Sequence, residues 1–147
     1  MNEILARIPQ FVAHHPLLIS AFVAIALALV ALEGSRRFRG FRELTPAGLT
    51  QLINRDNALV IDVSPQADFE KAHVPGSRHV AKDQFDPENK ELKKARELPV
   101  AVVSRNGAES EKAARRLVKA GFTRVHVLSG GIDAWRRADL PLAKGPN

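Results

Sequence analysis

Pro99-Val-Ala-Val-Val-Ser104-Arg-Asn-Gly-Ala-Glu-Ser110-Glu-Lys-Ala-Ala-Arg-Arg-Leu-Val-Lys-Ala120-Gly121 reads as a strand, a tight loop and a helix in one run. Val100 to Val103 is a short apolar run rich in β-branched residues, the pattern of a buried strand. Ala114, Leu117 and Val118 share one helical face after it, and Gly121 supplies a stop signal. Between the two lies a polar loop, where backbone N–H groups and a helix N-terminus face a common point. Such a cradle binds anions. Ligands of open α/β sheets bind beyond the carboxyl end of a strand, and the residue delivered there is Ser104. The chain contains no cysteine.

Working outward, strands and helices alternate. Thr45-Pro46 pairs a cap with a first-turn proline and opens a helix toward Asn54. Ala58 to Val63 reads as a buried strand, and Gln66 to Ala72 as a short helix that carries Phe69 inward. Pro75-Gly76 is a turn before an edge-like strand, Arg78 to Ala81. Pro87 to Leu98 reads as a charged helix with Leu92 and Ala95 on a thin apolar side. Val125 to Leu128 is the last strand, and Gly131 to Arg137 the closing helix. This βα alternation predicts an α/β domain with a mainly parallel sheet, covered on both faces by helices. The sequence shows no internal repeat.

Ser104-Arg-Asn-Gly-Ala-Glu-Ser110 resembles the active-site loop of rhodanese-like domains, whose pattern is Cys-Arg-x-Gly-x-x-Ser. In that family the cysteine accepts a sulfane sulfur as a persulfide and passes it on. Three further stretches resemble the same family in the same order: Val60-Ile-Asp62-Val, Phe69-Glu-Lys-Ala-His73-Val-Pro-Gly76-Ser and Leu128-Ser-Gly130-Gly131-Ile-Asp-Ala-Trp135. The similarity covers about Phe41 to Leu142 and implies a single-domain rhodanese-like fold, of the membrane-anchored bacterial type. It also implies an anion-binding loop made of Ser104, Arg105, Asn106, Gly107, Ala108, Glu109 and Ser110, supported by Asp62 and Ser64.

Two departures bear on function. Ser104 stands at the nucleophile's position, and Ser64 stands where the family has arginine after its Asp-Val pair. A thiol has a pKa of about 8.5 and becomes a thiolate in positive surroundings. A serine hydroxyl needs an adjacent base to attack anything, and its oxygen cannot hold a persulfide. Glu109 places a further carboxylate on the rim, where it repels an anionic donor. A serine-hydrolase elbow wants glycines two residues on either side of the nucleophile, positions held here by Val102 and Asn106. His73, His79 and His126 are the available bases, and no pattern in the sequence brings one to Ser104. The scattered histidines lack metal-ligand spacing, so neither a metal nor a cofactor is expected. Asp62 is expected to order loops, Trp135 to pack the closing helix, and Gly107 to give the loop backbone freedom. Arg105 is the residue best suited to touch an anion.

The other strong feature lies upstream. Ile8 to Leu32 holds no Asp, Glu, Lys or Arg. About 20 apolar residues at 1.5 Å each cross a hydrocarbon core of ~30 Å. The chain therefore divides into an N-terminal tail (1–10), a transmembrane helix (11–32), a basic linker (33–40) and the rhodanese-like domain (41–147). Arg7, offset by Glu3, precedes the run, whereas Arg36, Arg37, Arg39 and Arg42 follow it. That pattern favours a retained anchor over a cleaved signal peptide. It also places the domain in the cytoplasm, on a single pass through a bacterial inner membrane.

The net charge of +6 and pI near 10.2 invite a nucleic-acid reading. Part of the excess lies in the four arginines after the anchor, where it fits topology and anionic headgroups. The chain has seven Phe, one Trp and no Tyr, with no aromatics interleaved among the cations to stack bases, so nucleic acid is not expected. Lys112, Arg115, Arg116 and Lys119 fall on one helical face, either a solvated surface or a docking site for an acidic partner. The expected function is binding: a docking module at the membrane for a protein partner, with room for a small anion in the loop. The alternatives are an enzyme that transfers sulfur with a partner's cysteine, or one that hydrolyses an ester through Ser104.

Overall fold

The computed structural model describes residues 2–146, and the chain divides into two compact units between Phe38 and Arg39. The first contains helices α1 (Asn2–His14) and α2 (Pro16–Arg37). Pro16 has no N–H to donate and suits the first turn of α2. Hydrogen bonds from His15 N to Phe11 O and from Ile19 N to His15 O, each 3.1 Å, carry helical bonding past it. The apolar run is thus shared between two helices, and α2 takes in Glu33 to Arg37, expected as linker. Within α2, Pro16–Ser35 is long and apolar enough to cross a membrane, and none of it is buried by other parts of the chain. It has the length and composition of a membrane anchor or of a signal sequence.

The second unit is built on a parallel sheet. Its strands are β1 (Arg42–Leu44), β2 (Leu59–Asp62), β3 (Arg78–His79), β4 (Val100–Val103) and β5 (Val125–Leu128), arranged β1-β5-β4-β2-β3. Helices α3 (Pro46–Asp56), α4 (Gln66–Lys71), α5 (Lys90–Lys93), α6 (Ala108–Lys119) and α7 (Gly131–Arg137) connect or close them. Alternate strand residues serve opposite faces. Ile61, Val100, Val102, Val125 and Val127 pack with Ala114 and Leu117 of α6 and with Phe85 and Phe122. Val60, Ala101, Val103 and Leu128 pack with Leu49 of α3 and with Ile132 and Trp135 of α7. A strand buried on both faces must be apolar throughout, which accounts for the unbroken apolar run of β4.

The cap read from the sequence at Thr45 is present, and Trp135 of the closing helix is anchored by its indole N–H. Thr45 Oγ1 accepts the Gly48 N–H at 3.1 Å, and Trp135 Nε1 donates to Pro141 O at 2.8 Å. Two expectations are corrected, and one strand was not expected. The charged helix expected over Pro87 to Leu98 is a single turn, α5, because Leu92 and Ala95 alone give too narrow an apolar face to hold a longer one. The edge strand expected over Arg78 to Ala81 is shortened to Arg78–His79, in register with Ile61 and Asp62, and a 3₁₀ turn follows at Lys82–Gln84. Strand β1 has no strand-like alternation of its own and owes its place to backbone pairing with β5.

Candidate functional site

All four residues of β4 are buried, and the chain leaves the strand at Ser104, itself 2% exposed. The next turn closes on the serine hydroxyl. Ser104 Oγ accepts the N–H groups of Gly107 at 3.0 Å and Ser110 at 3.3 Å. It donates in turn to Ser110 Oγ at 3.3 Å, and Ser110 Oγ donates to Gly107 O at 2.7 Å. Asn106 Oδ1 takes the N–H of Ala108 at 3.2 Å. The loop turns at Gly107, with φ at +97°. The N–H groups expected to face a common point converge on the loop's own serine oxygen.

The back of the loop rests on α7. Ile132 N donates to Ser104 O at 3.0 Å, and Asp133 N to Arg105 O at 3.2 Å. The first-turn donors of α7 thus find their acceptors in the loop, a pairing that helix starts otherwise need from a side chain. So close an approach requires Gly131, whose φ is +61° and where a Cβ would stand 2.1 Å from Ser104 O. The sequence held a signal for this support, the Gly130-Gly131 pair one residue beyond a strand, but not its target.

The remaining loop residues point elsewhere. Arg105, expected to meet an anion, is an exposed side chain whose Nη1 lies 3.8 Å from Asp68 Oδ2 on α4. A surface pair of this kind contributes at most about 1 kcal/mol. Glu109 lies between Lys112 Nζ at 3.1 Å and Lys82 Nζ at 3.2 Å. Hydrogen bonding from Lys112 and then Lys82 holds its carboxyl below the ordinary range. The rim carboxylate is therefore matched by two cations, which offsets the repulsion expected of it.

Asp62 and Ser64 form a separate network one strand away. Asp62 is fully buried at the end of β2, in register with Val103. Its Oδ1 accepts the Ser64 N–H at 2.8 Å, and its Oδ2 has no hydrogen-bond partner. Burial pushes its carboxyl pKa up, against opposition from hydrogen bonding with Ser64 and the fields of His79 and His73. The Ser64 carbonyl lies 2.7 Å from His79 Nε2, which must donate because a carbonyl only accepts. By the same reasoning His73 Nδ1 donates to Phe69 O at 2.7 Å, with its ring stacked on Phe69. These groups order the β2–α4 connection. His126 sits in β5 opposite Ala101, three residues before Ser104 on β4, and the partners found for Ser104 Oγ all belong to the loop. Among the described residues no cluster of three His, Asp or Glu side chains forms a metal site.

The raised pKa has a measurable sign. The folded chain holds the Asp62 proton more tightly than the unfolded chain, so this carboxyl costs stability as pH rises through its folded pKa. In detergent, urea unfolding followed by the fluorescence of Trp135, the chain's single tryptophan, is expected to show it. Relative to Asp62→Asn, the native chain should lose stability between the ordinary carboxylate range and neutral pH. A difference that stays constant with pH would refute this assignment.

A parallel sheet with this strand order, a loop folded around its first side chain and a Gly-Gly pair behind it define a sulfurtransferase-type fold. Residues 45–138 match the rhodanese-like domain, and the chain belongs to that family. It is 34% identical over 140 residues to YibN of Escherichia coli (strain K12), covering 95% of this chain and 98% of that protein. It is 28% identical over 112 residues to the thiosulfate sulfurtransferase GlpE of Glaesserella parasuis serovar 5, covering 71% of this chain and 95% of that one. A rhodanese-related protein of Thermoplasma volcanium superposes with a TM-score of 0.60 at 22% identity, over 69% of this chain and 97% of its own. Within that family this chain has no cysteine at all.

Proposed function

We propose that this protein is a membrane-tethered rhodanese-like binding module that carries no persulfide. The observation behind this reading is the environment of Ser104 Oγ. The donors suited to a thiolate are spent on a neutral hydroxyl, and no cysteine elsewhere replaces it. A hydroxyl without a base is not a nucleophile, and oxygen bonded to a sulfane sulfur is no persulfide. What remains is a rigid polar loop at the carboxyl end of a sheet, suited to recognising a protein partner or a small anion. Helix α2 acts as a retained anchor in the bacterial inner membrane, with the domain held in the cytoplasm by the arginines after the span.

The test uses the full chain in detergent and in membranes. Incubated with thiosulfate and cyanide, the native chain is expected to release no thiocyanate, and its intact mass to show no added sulfur. Photo-crosslinking in membranes is expected to capture the same partner for the native chain and for Ser104→Ala. Thiocyanate turnover by the native chain, or loss of the crosslink on removing the hydroxyl, would overturn the proposal.

A further inference from the structure

Helix α6 closes the 104–110 loop with its N-terminus, and its flank receives the chain where it enters the domain. Arg39 Nη1 lies 3.2 Å from Glu43 Oε1 and 3.7 Å from Glu111 Oε2 of α6. Gly40, at φ +75°, packs so closely that a Cβ there would stand 2.6 Å from Val118 Cγ1. The apolar run ends at Leu32, so the seven residues from Glu33 to Arg39 reach at most about 25 Å. That tether limits how far the domain's entry point at Arg39 can lie from a lipid surface that α2 enters.

The chemistry of this flank suits such a surface. Arg39, Lys82, Lys112, Arg115, Arg116 and Lys119 gather there against the carboxylates of Glu43, Glu109 and Glu111. Each carboxylate is already paired, Glu109 with two lysines and Glu111 with two arginines. The Arg116 guanidinium lies 5.3 Å over the Phe85 ring, which directs it along the domain surface. The cations remain in excess, and the side chains of Lys112 and Arg115 are 70% and 58% exposed. Large apolar side chains are scarce on this domain: Leu98, at 39%, is the exposed one among its described residues. The flank therefore offers charge without an apolar patch, which matches phosphate headgroups better than the core of a protein interface.

We propose that α6 is a headgroup-binding surface that lays the domain on an anionic lipid leaflet and holds the 104–110 loop against the membrane. This rests on the reading of α2 as a retained anchor. Attraction of this kind falls off within a Debye length, so it is sensitive to lipid charge and salt.

The absence of cysteine allows a single-site probe. A donor dye on Thr123→Cys, exposed just beyond α6, is paired with an acceptor on lipid headgroups, using the full chain in nanodiscs. Energy transfer is expected to rise about twofold or more when phosphatidylglycerol replaces part of the phosphatidylcholine, and to fall back at high salt. The rise should disappear in K112Q/R115Q/K119Q and persist in K93Q/K94Q, with Trp135 fluorescence confirming that each variant is folded. Equal transfer in both lipids by an incorporated chain overturns the proposal and leaves the anchor standing; an acidic protein partner on α6 would give that result. A chain that elutes apart from the nanodiscs overturns the anchor, and the docking with it.

Discussion

Ser104→Cys is expected to convert the chain into a sulfurtransferase, passing sulfur from thiosulfate to cyanide at least about a hundredfold faster than the native chain. The reason lies in the cradle. The N–H groups of Gly107 and Ser110, which now meet the hydroxyl oxygen at 3.0 and 3.3 Å, would favour a thiolate in its place. That thiolate attacks the outer sulfur of thiosulfate. A new S–S bond forms, the old one breaks with its electron pair on sulfite, and cyanide then removes the outer sulfur as thiocyanate and regenerates the thiolate. The gain should need high thiosulfate, because Ser64 supplies no guanidinium and Arg105 is turned to Asp68. Adding Ser64→Arg to Ser104→Cys should lower the KM for thiosulfate more than it raises kcat. A Ser104→Cys chain that folds, as judged by Trp135 fluorescence, yet takes up no sulfur would show that the loop has lost more than its nucleophile.

Gly131→Ala should cost about 3 kcal/mol or more in stability, read from the urea midpoint of Trp135 fluorescence in detergent. Two effects combine there. The backbone stands at φ +61°, where an L side chain is strained by about 1–2 kcal/mol. The added Cβ would also lie 2.1 Å from Ser104 O and 2.5 Å from Arg105 O, so the loop must retreat. Retreat breaks the hydrogen bonds from Ile132 N and Asp133 N that hold it. Gly76→Ala separates the two effects, since Gly76 has φ +78° but open space around its Cβ, and it should cost about 1 kcal/mol. Equal losses at the two positions would refute close packing of α7 against the loop. Combined with Ser104→Cys, Gly131→Ala should abolish the sulfur transfer that the cysteine confers, whereas Gly76→Ala should not.

Much of the sheet was legible because β2, β4 and β5 are apolar enough to stand out as single runs. Strand β1 was not legible, because Arg42-Glu43-Leu44 becomes a strand only when β5 lies alongside. The helix expected over Pro87 to Leu98 failed for the converse reason: charged residues favour helix locally, but a helix this short depends on tertiary packing to persist. The loop was legible as a motif, and its inward-turned serine and outward-turned arginine were not. Ser104 and Gly131 lie on separate elements, and no local pattern announces that one backbone will rest on the other.

By itself, the sequence determined the class of fold and the missing chemistry. Burial on both faces demands unbroken apolar strands, and a chain without cysteine has no thiol to carry a persulfide. Only the tertiary structure decided what the cradle holds. The direction of each N–H depends on how α6 and α7 pack against the end of β4, and that packing aims the loop's donors at its own Ser104 oxygen.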